Sequence, residues 1–325
     1  MEKPLEMFDQ EIECNRSFYG SKAGIIYAIV VLLGNGVQPI INNARPLSFD
    51  PLNFTWMLSL IECLCVLPFF LYEKVSPRKT QISQCIDKHG TKKDAWKLFL
   101  AVGGMFSIAT ILYTTGLSLA GSINGSIALK SSPIYAIFVG ALYLKEKINK
   151  TQLTLTGIML IGLYYQGTRG TWLLDEFNSG FLMLIITTLF WTIAHAITKP
   201  FLQSGTVSIS EVIFYRTLIV LITVFSISIG YYGIDHIIAS FIAPGHLLFA
   251  FYMGSTYFLM HACWYKSITS INLSLASALV IPSPAITTIL AMIITQEPLH
   301  SYQIIGMAVM MIGLYALMIN KMRQK

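Results

Sequence analysis

Lys130 sits inside SINGSIALKSSPIYAIFVGALYLKE (Ser122–Glu146), an apolar stretch long enough to cross a bilayer. Insertion scales set a mid-membrane lysine at roughly +2.5 to +3.5 kcal/mol, so such a residue faces a cavity or a counter-ion. It would attract an anionic group on a substrate, such as a carboxylate or phosphate. The competing reading is an ion pair inside a helix bundle. Glu62 lies in the middle of TWMLSLIECLCVLPFF. At that depth a carboxyl is neutral or paired, because desolvation and a nearby cation pull it in opposite directions. The two charges fall at similar depth, so the sequence allows them to pair, as a static clip or as a switch broken by substrate or proton. Asn35 and Gln38 lie beside Gly34, Gly36 and Pro39 in LLGNGVQPI. Their amides can bond either charge state of a substrate or join helix to helix.

Arg216 lies seven residues into another apolar segment, near enough to its end to snorkel toward headgroups. A cavity or coupling role is the alternative. Glu211, at the start of the same segment, complements the helix dipole. His195 and His261 titrate near neutral pH; with Glu62 and Arg216 they are candidates for proton coupling, against a reading as hydrogen-bonded structural histidines. The six aspartates (Asp9, Asp50, Asp87, Asp94, Asp175, Asp235) fall in tails and loops. No Walker A, His-Glu-x-x-His or Gly-x-Ser-x-Gly sequence occurs, which argues against an ATP-driven pump or a common hydrolase. Cys14, Cys63, Cys65, Cys85 and Cys263 show no ligand spacing, and no metal or cofactor is expected.

The elements that must hold these residues follow from composition. The 325 residues are 54% hydrophobic and only 12% charged, with mean hydropathy +0.64. Soluble proteins carry roughly 25% charged residues, so this is a membrane protein. Ten apolar segments stand near 22–42, 52–72, 96–117, 122–144, 150–167, 179–199, 209–231, 245–266, 271–295 and 299–320. Each has the length that crosses a ~30 Å hydrocarbon core as a helix. The net charge of +6 reflects lysines and arginines at alternate segment ends, which places both termini in the cytoplasm and offers nothing to nucleic acid. Residues 1–21 read as a polar cytoplasmic tail and 321–325 as a basic one.

The chain also repeats itself. Pro133 and Glu146 match Pro284 and Glu297 at an offset of 151, Gln152 matches Gln303, and Ile161-Gly162-Leu163-Tyr164 matches Ile312-Gly313-Leu314-Tyr315. The fold class expected is all-α: two five-helix repeats, 22–167 and 179–320. Five is an odd number, so the second repeat is inverted. Proline-interrupted spans at matching places in inverted repeats point to a transporter's binding site. Here they are Lys130-Ser131-Ser132-Pro133 and Pro282-Ser283-Pro284, with Pro39, Pro133, Pro282 and Pro284 as kink or gating positions.

This pattern resembles the drug/metabolite transporter superfamily, EamA type: a Gly/Ser/Ala-rich start, a mid-span proline, a terminal Glu, then a Gln and a Gly-containing span, in both halves. The resemblance implies a central cavity lined by the third, fourth, eighth and ninth helices with help from the first and sixth. Tyr113, Trp191, Tyr257 and Trp264 are then candidate cavity aromatics. The function expected is alternating-access transport of a small charged or zwitterionic metabolite, such as an amino acid. The alternative is uptake of a nucleotide-like host metabolite such as S-adenosylmethionine. A channel, a structural subunit and a membrane-embedded enzyme fit less well. The expected setting is the bacterial inner membrane, with a small-molecule substrate, lipid and a coupling proton or ion as partners, as monomer or homodimer.

Overall fold

A computed structural model describes residues 21–75, 92–143, 149–271, 276 and 279–323. The acidic tail before Ser21, most of the lysine-rich link after Glu73, the Lys145-Glu146-Lys147 cluster and Gln324-Lys325 lie outside these residues. Every element among them is helical. In chain order they are α1 (Ser21–Ala44), α2 (Pro51–Val75), α3 (Lys92–Ala120), α4 (Ser122–Ala128), a 3-10 turn (Leu129–Ser131), α5 (Ser132–Tyr143), α6 (Lys150–Gly167) and α7 (Ser179–Gln203). Then come α8 (Ile209–Tyr232), α9 (Ile234–Ile242), α10 (His246–Ser270), α11 (Ser283–Leu290) with a π-turn at Ala291–Thr295, and α12 (Ser301–Arg323).

Six of these, α1, α2, α3, α7, α8 and α12, are long and apolar enough to cross a membrane; α9 and α10, bent by 84°, make a seventh if taken together. The ten expected segments are therefore not ten straight apolar helices, and the exceptions have local causes. The segment at 122–144 is cut into α4 and α5 by the turn that holds Lys130, just before Pro133. The segment at 271–295 turns at Ile281-Pro282, and Ser283–Thr295 beyond the turn is a short apolar helix. The segment at 150–167 is one helix, but it opens on Lys150-Thr151-Gln152. Helix α9 falls where the sequence suggests a loop; its apolar residues Ile234, Ile237, Ile238 and Phe241 follow helical spacing.

The matched residues of the two halves do the same work twice. Gln152 accepts from the Asn149 backbone N–H (3.0 Å) and completes a capping box at the start of α6. Gln303 accepts from the His300 N–H (2.8 Å) at the start of α12. Such a reciprocal contact satisfies a backbone donor that the first helical turn leaves without a partner. Gly162 and Gly313 let α6 and α12 cross closely. A Cβ on Gly162 would lie 2.7 Å from Val309, and one on Gly313 would lie 2.6 Å from Met159.

The halves interlock. The most extensive helix pairings are α3 with α7, α2 with α8 and α1 with α10, followed by α3 with α8, α2 with α10 and α6 with α12, and each joins one half of the sequence to the other. The core therefore lies between the halves, and side chains that face it come from both.

A cavity between two broken helices

The proline-broken segments meet at a central cavity of about 210 Å³. Pro284 has no N–H to offer the carbonyl of Val280, four residues earlier. Lys130 takes that carbonyl, its Nζ lying 3.0 Å from Val280 O. The break in each segment thus serves the other: the turn in the first half presents the lysine, and the proline of the second half frees its acceptor.

Three helices complete the wall at regular spacing. From α7 come Thr188, Trp191, Thr192 and His195; from α10 come Tyr257, Met260, His261 and Trp264; from α1 come Val31, Asn35 and Gln38. Positions i, i+3, i+4 and i+7 are one face of an α-helix, so each stripe is a whole helical face turned inward. Tyr113 of α3 closes the wall, with its ring 5.3 Å from Trp191 and 6.0 Å from Tyr257. Four polar atoms on these aromatics are buried without a hydrogen-bond partner: the hydroxyls of Tyr113 and Tyr257 and the indole nitrogens of Trp191 and Trp264.

Most of the residues singled out in the sequence stand on this wall: Lys130, Asn35, Gln38, Tyr113, Trp191, Tyr257, Trp264, Ser283, Pro133, His195 and His261. Ser131 does not. Its hydroxyl turns to Thr188 at 2.5 Å and helps anchor the 3-10 turn on α7. Pro39, Pro282 and Pro284 also stand off the wall. Ser132 stands on the wall, as part of the Lys130-Ser131-Ser132-Pro133 motif, whereas Ser126, Thr188, Thr192 and Met260, also on the wall, were missed by the sequence reading. The helical spacing from Trp191 and Tyr257 would have found Thr188, Thr192 and Met260.

Two readings of the buried charges need correction. Glu62 is not paired with Lys130. Its Oε1 accepts from Arg216 Nη2 at 2.5 Å and lies 2.9 Å from His261 Nδ1. Depth along the chain places Glu62 and Lys130 at one level, but α2 packs on α8 and so turns Glu62 toward Arg216. Nor does Arg216 snorkel: it is 1% exposed. Its guanidinium lies over the Phe106 ring at 4.3 Å, and α2, α3 and α10 surround it. Neither Glu62 nor Arg216 lines the cavity; His261 connects them to it.

His261 Nδ1 has a choice of partner. It lies 2.9 Å from Glu62 Oε1 and 3.1 Å from Arg216 Nη2. Carrying a proton, it donates to the carboxylate; bare, it accepts from the guanidinium. Whether Nδ1 of this cavity residue carries a proton, by tautomer or by charge, thus decides which side of the ion pair it bonds.

One end of the broken segment is also tied across the halves. Glu297 accepts from the backbone N–H groups of Ser122 (2.9 Å) and Ile123 (3.2 Å), satisfying the start of α4. The approach needs glycine at 121, which has φ +83° and where a Cβ would lie 2.6 Å from Glu297 Oε1. Nearby, Asn124 Oδ1 accepts from Gln166 (2.6 Å) and from Gln303 (3.1 Å), so Gln303 both caps α12 and ties it to α4. At the same end Arg45 donates to Phe49 O (2.9 Å) and the Ser118 hydroxyl (2.7 Å). Burial lowers its pKa to about 10 against the pull of Asp50, which leaves it charged at neutral pH.

A helical, multi-pass membrane protein with its cavity between two interlocked halves is the class that fold and site define. The model of the EamA-like transporter family matches residues 22–166 and 178–319. The chain belongs to that family of membrane transporters, as its repeated motif implied. A solved crystal structure matches with TM-score 0.64 over 92% of this chain and 98% of its own, at 12% identity; the likeness is one of fold alone. No curated protein matches the sequence.

Proposed function

We propose that the protein is a secondary transporter that carries a small charged or zwitterionic metabolite by alternating access around the central cavity. The observation that supports this best is Lys130: a lysine at the meeting of two broken helices, on a wall of polar and aromatic side chains, with no carboxylate partner among the described residues. The reading includes ten spans, with the broken segments counted as spans, both termini in the cytoplasm, and an inner bacterial membrane. Pockets for drug-sized ligands occupy roughly 300–1,000 Å³, so a cavity of about 210 Å³ favours a substrate of amino-acid size over one as large as S-adenosylmethionine. Among the described residues no group of His, Cys, Asp or Glu could hold a metal ion.

Proton coupling fits the same reading. His261 faces the cavity and holds the Glu62–Arg216 pair from one side, so a proton arriving there changes how α2, α8 and α10 are joined. The test is a thermal-shift screen of the purified protein against amino acids, organic acids, nucleotides and S-adenosylmethionine, followed by counterflow of each hit in proteoliposomes with and without a pH gradient. Transport of a hit, lost in Lys130→Met, is the expected result. Hits that bind equally well to Lys130→Met and never cross the membrane would rule the reading out.

A further inference from the structure

We infer that the cavity takes an organic anion that bears a planar ring and one carboxylate and lacks an ammonium group. The inference rests on the transporter reading and sharpens its substrate class.

The charge on the wall is one-sided. Its ionisable residues are Lys130, His195, His261, Tyr113 and Tyr257, with no aspartate or glutamate among them. Glu62, which touches the wall through His261, is held by Arg216 and His261 and itself stands off the wall. A bound amino acid would find a cation for its carboxylate and no anion for its ammonium. Burying an unpaired charge is costly, so the ammonium is a liability here.

Hydrogen-bond capacity leans toward donors, although the amides of Asn35 and Gln38 and the tyrosine hydroxyls can accept as well. The indole nitrogens of Trp191 and Trp264 are donors only, and neither has a partner. The hydroxyls of Tyr113 and Tyr257 are buried and equally unpartnered. Lys130 uses one of its three donors on Val280 O and has two left. These open donors fit a ligand that brings acceptors, as a carboxylate does.

The ring follows from the same side chains. Tyr113 stands against Trp191 and Tyr257, and His195 lies 6.3 Å from Trp264. A flat aromatic body can stack or meet edge to face with such walls. A phosphate ester would want a second cation for its second charge. Arg216, a buried cation close by on α8, is engaged by Glu62.

The test uses the full-length, detergent-purified protein and matched probes: 3-phenylpropionate against phenylalanine, indole-3-propionate against tryptophan, then tryptamine and phenyl phosphate. Dissociation constants are measured by tryptophan quenching or calorimetry, on the native chain, Lys130→Met and Lys130→Arg. The deaminated acids should bind at least about tenfold tighter than their amino-acid twins, with tryptamine and phenyl phosphate weaker still. Lys130→Met should erase the preference and Lys130→Arg should restore part of it. Amino acids that bind as tightly as their deaminated twins, a preference for phenyl phosphate, or no binding by either acid would overturn the inference. Counterflow in proteoliposomes separates the two levels. Flux of amino acids alone sinks this substrate class and keeps the transporter, whereas tight binding of the acids with no flux keeps the class of ligand and sinks transport.

Discussion

Two sets of charges lie buried in this protein and are treated in opposite ways. At the α2–α8–α10 junction, Glu62, Arg216 and His261 converge within hydrogen-bond distance, with Phe106 beneath the guanidinium. At the meeting of the broken helices, Lys130 has a backbone carbonyl and otherwise faces the cavity. The first set is neutralised within the fold, although Arg216 Nη1 is left without a hydrogen-bond partner. The second has a place open for something brought from outside. A buried charge that the chain itself neutralises holds helices together, and one left open is where a ligand of opposite charge gains most.

Breaking the first set should have the largest effect. Removing one partner of a buried ion pair strands the other charge, at a cost of about 3–5 kcal/mol. Glu62→Gln or Arg216→Met alone should therefore lower the melting temperature and the yield sharply. The double variant should recover much of the loss, because nothing charged is left behind. Thermal melts of the three variants in detergent, combined as a double-mutant cycle, check this. A double variant as poor as either single one would break the comparison.

Lys130→Met should behave in the opposite sense. It removes a mid-membrane charge and leaves no ion partner stranded, so the melting temperature should hold or rise. Binding of an anionic ligand should fall by an amount equivalent to about 1.5–3 kcal/mol, the range for hydrogen bonds to charged groups. A strong loss of stability instead would place Lys130 with Glu62 and Arg216 as a structural charge.

Glu297 tests whether a carboxylate needs a cation to count as complete. Its partners are two backbone N–H groups at the start of α4. Glu297→Gln keeps the shape and loses the charge, and should cost about 1–2 kcal/mol in thermal stability. Glu297→Ala, which also strands the two donors, should cost more.

The sequence held the frame of this comparison but not its pairing. The repeat brought out Pro133 and Pro284, and the structure shows why the second matters: it frees the carbonyl that Lys130 takes. Gln152 and Gln303 were visible as a match, and their role as helix caps needed the backbone. The pairing of Glu62 was lost because sequence position gives depth in the membrane and not direction around the helix. Two charges at one level looked like neighbours, while α8 delivered a nearer one. Arg216 was misread for a related reason: closeness to a helix end says nothing about which face is buried. On the wall, aromatics and histidines drew attention by type. Thr188, Thr192 and Met260 had only their spacing to announce them.

The smallest effect is expected from Pro284→Ala. Proline is tolerated in the first turn of a helix, and residue 284 sits in the first turn of α11, so stability should move by less than about 1 kcal/mol. Alanine supplies an N–H that competes for the Val280 carbonyl. Lys130 would then lose the contact that orients it without losing its charge. Anion binding should weaken only a few-fold, a loss of under about 1 kcal/mol, well short of the loss in Lys130→Met. The ratio of the two variants' dissociation constants separates what the lysine contributes as a charge from what the broken helix contributes by aiming it. If Pro284→Ala matched Lys130→Met, a charge left in place but no longer aimed would be worth nothing to the ligand. The open charge would then depend on the second half of the chain as fully as Glu62 depends on Arg216.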